Sequence, residues 1–164
     1  MLKKIILFAL LLLSFGAFAQ DKIAYFSAAE VITAMPEYTQ MLDSLKFTEN
    51  AIHTEAAAME DEYNRKYEAF MKEGDTLIEA IKIRRMQELR DLEQRFATYS
   101  EQSQLQLRQL QEQLLIPIQQ KVKDAIQAVG AANNFLYILD TNAVLYVNPT
   151  AVNATDLVKK KLGL

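Results

Sequence analysis

One helical apolar stripe runs through most of this chain and breaks once, at residues 72–75 (KEGD). Before the break, apolar or small residues recur in steps of three and four over residues 38–70, and after it the same spacing continues over residues 78–129. This spacing predicts two long amphipathic helices, at about residues 37–71 and 77–131.

The two predicted helices are complementary if the chain folds back about Gly74. Facing residues would then have numbers that sum to about 148, and apolar pairs such as Tyr38 with Leu110 or Ile52 with Phe96 meet that condition. Two matching stripes favour an antiparallel coiled-coil hairpin over two unrelated helices.

The first residues have the pattern of an export signal. Two lysines precede an apolar run at residues 5–15, which ends in Ala17-Phe18-Ala19 before Gln20. This pattern is typical of a secretory signal peptide at residues 1–19, cleaved near Ala19/Gln20. A membrane anchor is the alternative, but the run is shorter than the ~20 residues that a span needs. The chain has no cysteine, so the mature protein would have neither a lipid-modified cysteine nor a disulfide.

The charge balance argues against a nucleic-acid-binding protein. Removing the two leader lysines changes the formal net charge from −3 to −5. Proteins that bind nucleic acid use a basic face to contact phosphates, and this acidic balance does not suit one.

Short segments of strand-forming residues flank the hairpin and predict a small body. Residues 22–26 read as a strand and residues 28–35 as a short helix. Residues 135–139 and 143–147 read as a β-hairpin about Asp140-Thr141-Asn142, and residues 154–162 as a last helix with Thr155 as N-cap. The predicted organisation is a signal peptide at 1–19, a first strand and short helix at 20–36, a coiled-coil arm at 37–116 with its tip near 72–76, and the end of the returning helix, the β-hairpin and the C-terminal helix at 117–164.

So few strands have open edges and little core of their own. Several copies of the chain would close those edges against one another, which predicts a homo-oligomer with a shared body. The residues expected in that body are Ile23, Tyr25, Leu136, Ile138, Val144 and Tyr146.

These segments together resemble one known family. The residues that carry the resemblance are Asp21-Lys22-Ile23-Ala24-Tyr25 after the leader, residues 114–122 (LLIPIQQKV) in the returning helix, residues 139–146 (LDTNAVLY), and Ala154-Thr155-Asp156-Leu157-Val158. In order and length the mature chain resembles the Skp/OmpH family of periplasmic chaperones. The resemblance implies an α+β fold in which a long antiparallel helical hairpin, a tentacle, projects from a small β body and assembles as a trimer around a cavity.

The resemblance also implies the partners. They are unfolded outer-membrane β-barrel proteins, held in the cavity without ATP, and other copies of the chain in a homotrimer. Lipopolysaccharide or membrane-surface contact would be a further interaction, whereas nucleic acid, metal and other cofactors are not expected. This chain departs from the strongly basic members of the family in being acidic.

Some apolar residues of the predicted helices do not fall on the contact seam. They are Phe47, Met71, Leu77, Ile83, Met86 and Leu105. A chaperone that holds unfolded clients needs apolar contacts scattered among charges, and flexible methionines adapt to varied partners. These six residues are therefore candidates for client binding. The alternative is that they widen the packing of the hairpin tip itself.

Two further features of the arm have more than one interpretation. The second helix has a basic stretch near the tip, formed by Lys82, Arg84, Arg85, Arg90 and Arg95. It predicts either a docking patch for lipopolysaccharide or acidic client segments, or ordinary surface ion pairing. Gly74 at the turn and Pro117 inside the returning helix are predicted hinges, because a proline removes a backbone hydrogen bond from a helix.

The sequence offers no recognisable catalytic or metal site. His53 is the only histidine and is expected on a solvent-facing helix surface. The acidic run Glu60-Asp61-Glu62 cannot converge on one atom, because consecutive helical residues point to different faces. We therefore expect a binding protein and not an enzyme. An exported coiled-coil adaptor or spacer of the cell envelope is the alternative function.

Overall fold

The computed structural model describes residues 22–74 and 76–164, so the predicted signal peptide lies outside the described residues. The elements are β1 (Lys22–Phe26), α1 (Ala28–Ala34), α2 (Pro36–Glu73), α3 (Glu79–Asn133), β2 (Phe135–Asp140), a 3-10 turn (Thr141–Ala143), β3 (Val152–Asn153) and α4 (Thr155–Leu162). The described residues form two compact units, one comprising residues 31–123 and the other comprising residues 22–30 and 124–164. The predicted α+β class, with long helices and a small strand-containing body, is confirmed.

The unit of residues 31–123 is a hairpin of two long antiparallel helices. Helix α2 begins with Pro36 at its first position, where a missing N–H is not needed. It ends at Glu73, and Gly74 keeps a right-handed helical conformation with φ −55° and ψ −34°. A methyl group at residue 74 would lie 2.7 Å from the carbonyl oxygen of Phe70. This close approach accounts for the glycine at the tip. A left-handed backbone is not the reason, because the φ of Gly74 is negative.

The register of the hairpin differs from the prediction. Tyr63 was expected opposite Arg85, but its hydroxyl donates a 2.7 Å hydrogen bond to Glu93. The sum of about 148 would also place Lys66 opposite Lys82, but Lys66 Nζ lies 3.7 Å from Glu88 Oε2. The predicted fold-back about Gly74 is therefore wrong: the fold-back point lies about one helical turn later, which moves each facing partner by roughly two turns.

The physical reason for this shift lies in the tip and in the repeat. Because α2 continues to Glu73 and α3 begins only at Glu79, the chain reverses later than Gly74. A shift of about seven residues returns each side chain to the same face of a helix, so an apolar stripe is compatible with both registers.

The buried part of the hairpin is narrow. Met41 is the buried residue of α2, and the part of α3 in this unit buries Leu89, Leu92, Ser103, Ile118 and Val122. Most other apolar side chains of the two helices are half-buried or exposed. The hairpin therefore leaves much of its apolar surface in contact with solvent.

The other unit contains a three-stranded parallel sheet in the order β2-β1-β3. In the β1–β2 pair, Ala24 faces Ile138 and Tyr25 faces Leu139, and in the β1–β3 pair Ala24 faces Val152. Parallel strands require a long crossover connection, and between β1 and β2 the helices α1, α2 and α3 supply it. Ala24, Phe26, Ala125, Val129 and Val158 are among the buried residues of this unit.

The predicted β-hairpin at residues 135–147 is wrong. Residues 135–140 form β2, but Asp140 then accepts a 3.1 Å hydrogen bond from the N–H of Asn142, and a 3-10 turn replaces the tight turn. Residues 144–149 do not form a strand. Asn148 stabilises a second turn by accepting from the N–H of Thr150 (2.9 Å), and the third strand is Val152–Asn153, beside β1. The two side-chain-capped turns carry the chain away from β2, so no antiparallel return forms.

Helix α4 lies where the sequence predicts it, but Thr155 is not its N-cap. Ala154 occupies the N-cap position, and its N–H donates to the carbonyl of Tyr25 (2.7 Å). The Thr155 hydroxyl instead accepts from the N–H of Ser27 (3.1 Å). These two bonds join α4 to the end of β1. The helix ends at Gly163, whose φ of +80° allows the usual left-handed C-terminal turn.

Candidate functional site

Five of the six client-binding candidates are exposed in the structure. The exposed fraction is 77% for Phe47, 63% for Met71, 55% for Ile83, 50% for Leu105 and 41% for Met86. Leu77 is half-buried at the tip. Their exposure leaves these apolar side chains of the hairpin open to contact, and client binding by them stays a prediction.

The structure adds residues that sequence reasoning assigned to the seam. Ile78 is 68% exposed, Tyr67 44% and Phe96 41%. Tyr67 and Phe96 are helical, and a side chain at the margin of a narrow two-helix contact keeps one side in solvent, whereas Ile78 precedes the first residue of α3. An apolar stripe wider than one partner helix can cover is the signal that would have identified them.

The basic stretch near the tip takes part in ion pairs. Arg85 Nη1 lies 2.9 Å from Glu73 Oε2, and Arg84 Nε lies 3.5 Å from Glu88 Oε1. Arg90 donates to the side-chain oxygen of Gln87 at 2.9 Å. This geometry favours surface ion pairing for Arg84 and Arg85, and contact with lipopolysaccharide stays a prediction.

Two polar contacts shift the pKa of residues in the hairpin. Lys121 Nζ donates to Glu37 Oε1 at 2.6 Å, and this bond holds the pKa of the Glu37 carboxyl below its usual value. The hydrogen bond from Tyr63 to Glu93 raises the pKa of the Tyr63 hydroxyl, because the carboxylate favours the neutral phenol. The Tyr63 ring also stacks on Tyr67, with ring centroids 6.0 Å apart.

The two predicted hinges are at different kinds of position. Gly74 directly follows α2, whereas Pro117 lies inside α3 on an exposed face. Helix α3 is continuous through Pro117. Bending at either residue stays a prediction.

The six residues predicted for the oligomer body belong to β1, β2 and the segment after the 3-10 turn. Ile23 is 50% exposed, Leu136 53% and Tyr146 76%. Tyr25, Ile138 and Val144 are half-buried. The neighbouring Leu145, which the prediction omitted, has a fully exposed side chain. A small unit with so many exposed apolar side chains has a surface suited to association.

The remaining sequence candidates are surface residues. His53, Glu60 and Asp61 are exposed, and Glu62 is half-buried. Within residues 22–74 and 76–164, no three histidine or acidic side chains are grouped closely enough to hold a metal ion. In the same part of the chain, no helix has the length and apolar character needed to cross a membrane.

Comparison with known families supplies the identification. The family profile described as outer membrane protein (OmpH-like) matches residues 22–162, which is most of the chain. The chain belongs to the OmpH-like family. It is 22% identical over 139 residues to the chaperone protein Skp of Yersinia enterocolitica, and the match covers 85% of both chains. The Skp chaperone of Photorhabdus laumondii is 24% identical over 149 residues, which cover 91% of this chain and 90% of that one.

A solved structure shows the same fold. The crystal structure of an OmpH-like protein from Caulobacter crescentus superimposes with a TM-score of 0.76 at 18% identity, over 88% of this chain and 85% of that one. Members of the Skp/OmpH family are periplasmic chaperones and not enzymes. The OmpH-like chain is thus a periplasmic chaperone by family.

Proposed function

We propose that this chain is an ATP-independent holdase that binds unfolded outer-membrane β-barrel proteins and prevents their aggregation before membrane insertion. The Skp relatives are named as chaperones, and the family itself is described as outer membrane protein (OmpH-like). Export with cleavage near Ala19/Gln20 would deliver the chain to the periplasm, and the N-terminal sequence of the secreted protein tests that step.

The observation that carries this proposal is the exposed apolar surface of the hairpin. Phe47, Met71 and Ile83 are each more than half exposed and stand among charged residues. An unfolded β-barrel protein presents many apolar segments of varied shape. Scattered contacts are individually weak but add up over a long surface, and the intervening charges keep the arm soluble.

Self-association would turn separate arms into a cavity. The exposed Ile23, Leu136 and Tyr146 provide an apolar surface on the strand-containing unit, which would be covered by other copies of the chain. The family resemblance sets the expected number at three. Three arms around one space would contact a client from several sides, which raises avidity without a tight single site.

Release would not need a nucleotide. The periplasm has no ATP supply, so a client would leave through the rapid exchange of weak contacts. Folding of the client into the outer membrane is downhill and would make that release irreversible. A flexible, apolar and charge-interrupted surface suits such exchange, because no single contact dominates the residence time.

Light scattering tests the proposal. A urea-unfolded outer-membrane protein is diluted into buffer with or without the mature chain, with an unrelated acidic protein of equal mass concentration as the control. We expect the mature chain alone to suppress scattering at close to one trimer per client, and suppression to persist in high salt. Absence of suppression at a tenfold excess would contradict the holdase and favour the envelope adaptor.

A further inference from the structure

The hairpin contains a groove that combines aromatic walls with carboxylates. It has a volume of about 340 Å³ and lies between α2 and α3 in the middle of the hairpin. Met59, Tyr63, Leu92 and Phe96 line its apolar part, and Glu60 and Glu93 complete the lining. Leu92 is buried, whereas Phe96 is 41% exposed, so the lining includes both buried and solvent-exposed apolar side chains.

The groove is held in shape by two side-chain contacts. The Tyr63 hydroxyl donates to Glu93 Oε1 at 2.7 Å, which ties the two helices together at the groove. Tyr67 stacks nearly parallel on Tyr63, at an interplanar angle of 10°. Two aromatic side chains and one carboxylate are therefore already positioned before a ligand arrives, which lowers the entropic cost of binding.

The carboxylates of the groove have no cationic partner among the described residues. Neither Glu60 nor Glu93 takes part in an ion pair there, in contrast to Glu73 and Glu88 near the tip. Arg95 is close in sequence, but it lines a different groove that Met59 also borders. The two glutamates thus place negative charge beside an apolar surface.

The charge of the surrounding hairpin reinforces this arrangement. Residues 47–64 and 91–108, which flank the groove on the two helices, together contain eight carboxylates and two guanidinium groups, a formal net charge of −6. The stretch at residues 65–90 that includes the tip contains seven basic and five acidic residues, a net charge of +2. The acidic character of the hairpin is therefore concentrated around the groove.

One ligand chemistry uses every part of such a groove. A lysine or arginine can lay its aliphatic stem over aromatic faces and direct its charged head to carboxylates. A neighbouring apolar residue of the same segment can contact Leu92 and Phe96. Residues 47–64 and 91–108 form an acidic band around the groove, and this band would repel an acidic segment. A neutral segment would leave the carboxylates of the groove without a cationic partner.

We propose that this groove binds unfolded client segments in which a lysine or arginine adjoins a bulky apolar residue. The proposal rests on the proposed function, since it assumes that the chain binds unfolded clients. It assigns a chemical preference to one place on the arm. It also gives the acidic band a role, namely selection of cationic over acidic client segments.

Peptide binding tests the preference. Three labelled, unstructured peptides of equal length and apolar content carry lysine/arginine, glutamine or glutamate at the same positions, and their binding to the mature chain is measured by fluorescence anisotropy. We expect the cationic peptide to bind roughly threefold to tenfold more tightly than the acidic one at low salt, and the difference to shrink in about 0.5 M salt.

Matched variants test the location. Glu60→Gln with Glu93→Gln removes two charges from the groove, and Gln at residue 93 keeps an oxygen that can accept from Tyr63. Asp43→Asn with Glu112→Gln removes two charges from exposed positions elsewhere on the hairpin. We expect the first pair to abolish most of the preference and the second to keep it. Equal loss of the preference in both double variants would refute the groove as the binding site and indicate a general effect of net charge.

A direct probe of the groove does not depend on variants. In mature chain labelled with ¹³C at its methionine methyl groups, the cationic peptide should shift the Met59 resonance and leave that of Met41 in place. Resonance shifts confined to Met71 and Met86 would refute binding of the peptide at the groove. Equal binding of all three peptides, with aggregation still suppressed, would refute this inference and leave the holdase standing. Absence of both peptide binding and suppression would refute both.

Discussion

At the scale of the residue, single polar contacts join the two long helices in their observed alignment. Glu37 and Lys121 meet near the beginning of α2, and Tyr63 and Glu93 meet near the middle of the hairpin. Both contacts are at the surface, where ion pairs contribute little to stability. These contacts favour one register of the two helices over others, because an apolar stripe allows several alignments and specific polar partners match in only one of them.

The Glu37–Lys121 pair makes stability depend on pH in the acid range. The pKa of Glu37 in the folded chain is below its ordinary value of 4.5, so its contribution is present above that pH and is lost as pH falls through the folded pKa. We expect Glu37→Gln to lower Tm slightly at pH 7 and to flatten this part of the acid-side loss. Thermal unfolding followed by circular dichroism between pH 7 and 3 measures the effect.

Glu112→Gln is the matched control, since Glu112 is an exposed glutamate of α3. The expected result is that this variant keeps the wild-type pH dependence. If Glu37→Gln also follows the wild-type curve at every pH, the ion pair does not act in solution as described.

At the scale of the element, the helices and the strands β1 and β2 were predictable, but the pairing of the sheet was not. Apolar spacing placed α2 and α3 within a few residues of their ends, because a 3.6-residue period repeated over ten turns is a strong local signal. The same repeat concealed the register, which depends on the length of the tip and on contacts such as Tyr63 with Glu93.

The third strand and the strand order were missed because the pairing is not local. β3 contains only Val152 and Asn153, and both pair in parallel with β1, more than 120 residues earlier. The more hydrophobic residues 143–147 looked like a strand by composition, yet they form none in this chain. Two short turns, capped by the side chains of Asp140 and Asn148, direct the chain away from β2.

The groove at Tyr63 and Phe96 was also missed by sequence reasoning, since these residues come together only in the observed helix register.

Replacing Pro117 tests whether this proline lowers the stability of helix α3. Pro117 has no N–H to donate to the preceding turn, and it lies on an exposed face. Pro117→Ala should restore that hydrogen bond and stabilise the chain by about 1–2 kcal/mol, since proline is about 3 kcal/mol less favourable than alanine in a helix but also restricts the unfolded chain. Urea unfolding measures the gain.

If Pro117 is also a hinge, the same variant should slow amide exchange around residues 113–121 and protect large clients less well than small ones. Gln119→Ala, at another exposed helical position, is the control and should change neither property. A Pro117→Ala protein with unchanged amide exchange and unchanged client range would refute the hinge.

At the scale of the whole molecule, the apolar surface of the strand-containing unit predicts assembly. We expect the mature chain to sediment as a trimer at micromolar concentration. Leu145→Asp with Tyr146→Asp places charges on two highly exposed apolar positions of this unit and should shift the protein toward monomer. Phe47→Asp changes an equally exposed residue of the hairpin and should leave the trimer intact. Monomeric wild type, or equal dissociation by Phe47→Asp, would contradict this assignment.

The most direct measurement asks whether the exposed apolar side chains of the hairpin hold the client. Phe47, Met71, Ile83 and Leu105 are replaced together by serine, and a control replaces the exposed Gln102, Gln104, Gln106 and Gln109 by serine. Light scattering of a diluted, urea-unfolded outer-membrane protein is then compared at equal trimer concentration. We predict that the first variant stays folded and trimeric but loses most of its suppression, while the control suppresses like the wild type. Full suppression by the first variant would show that these side chains do not bind the client.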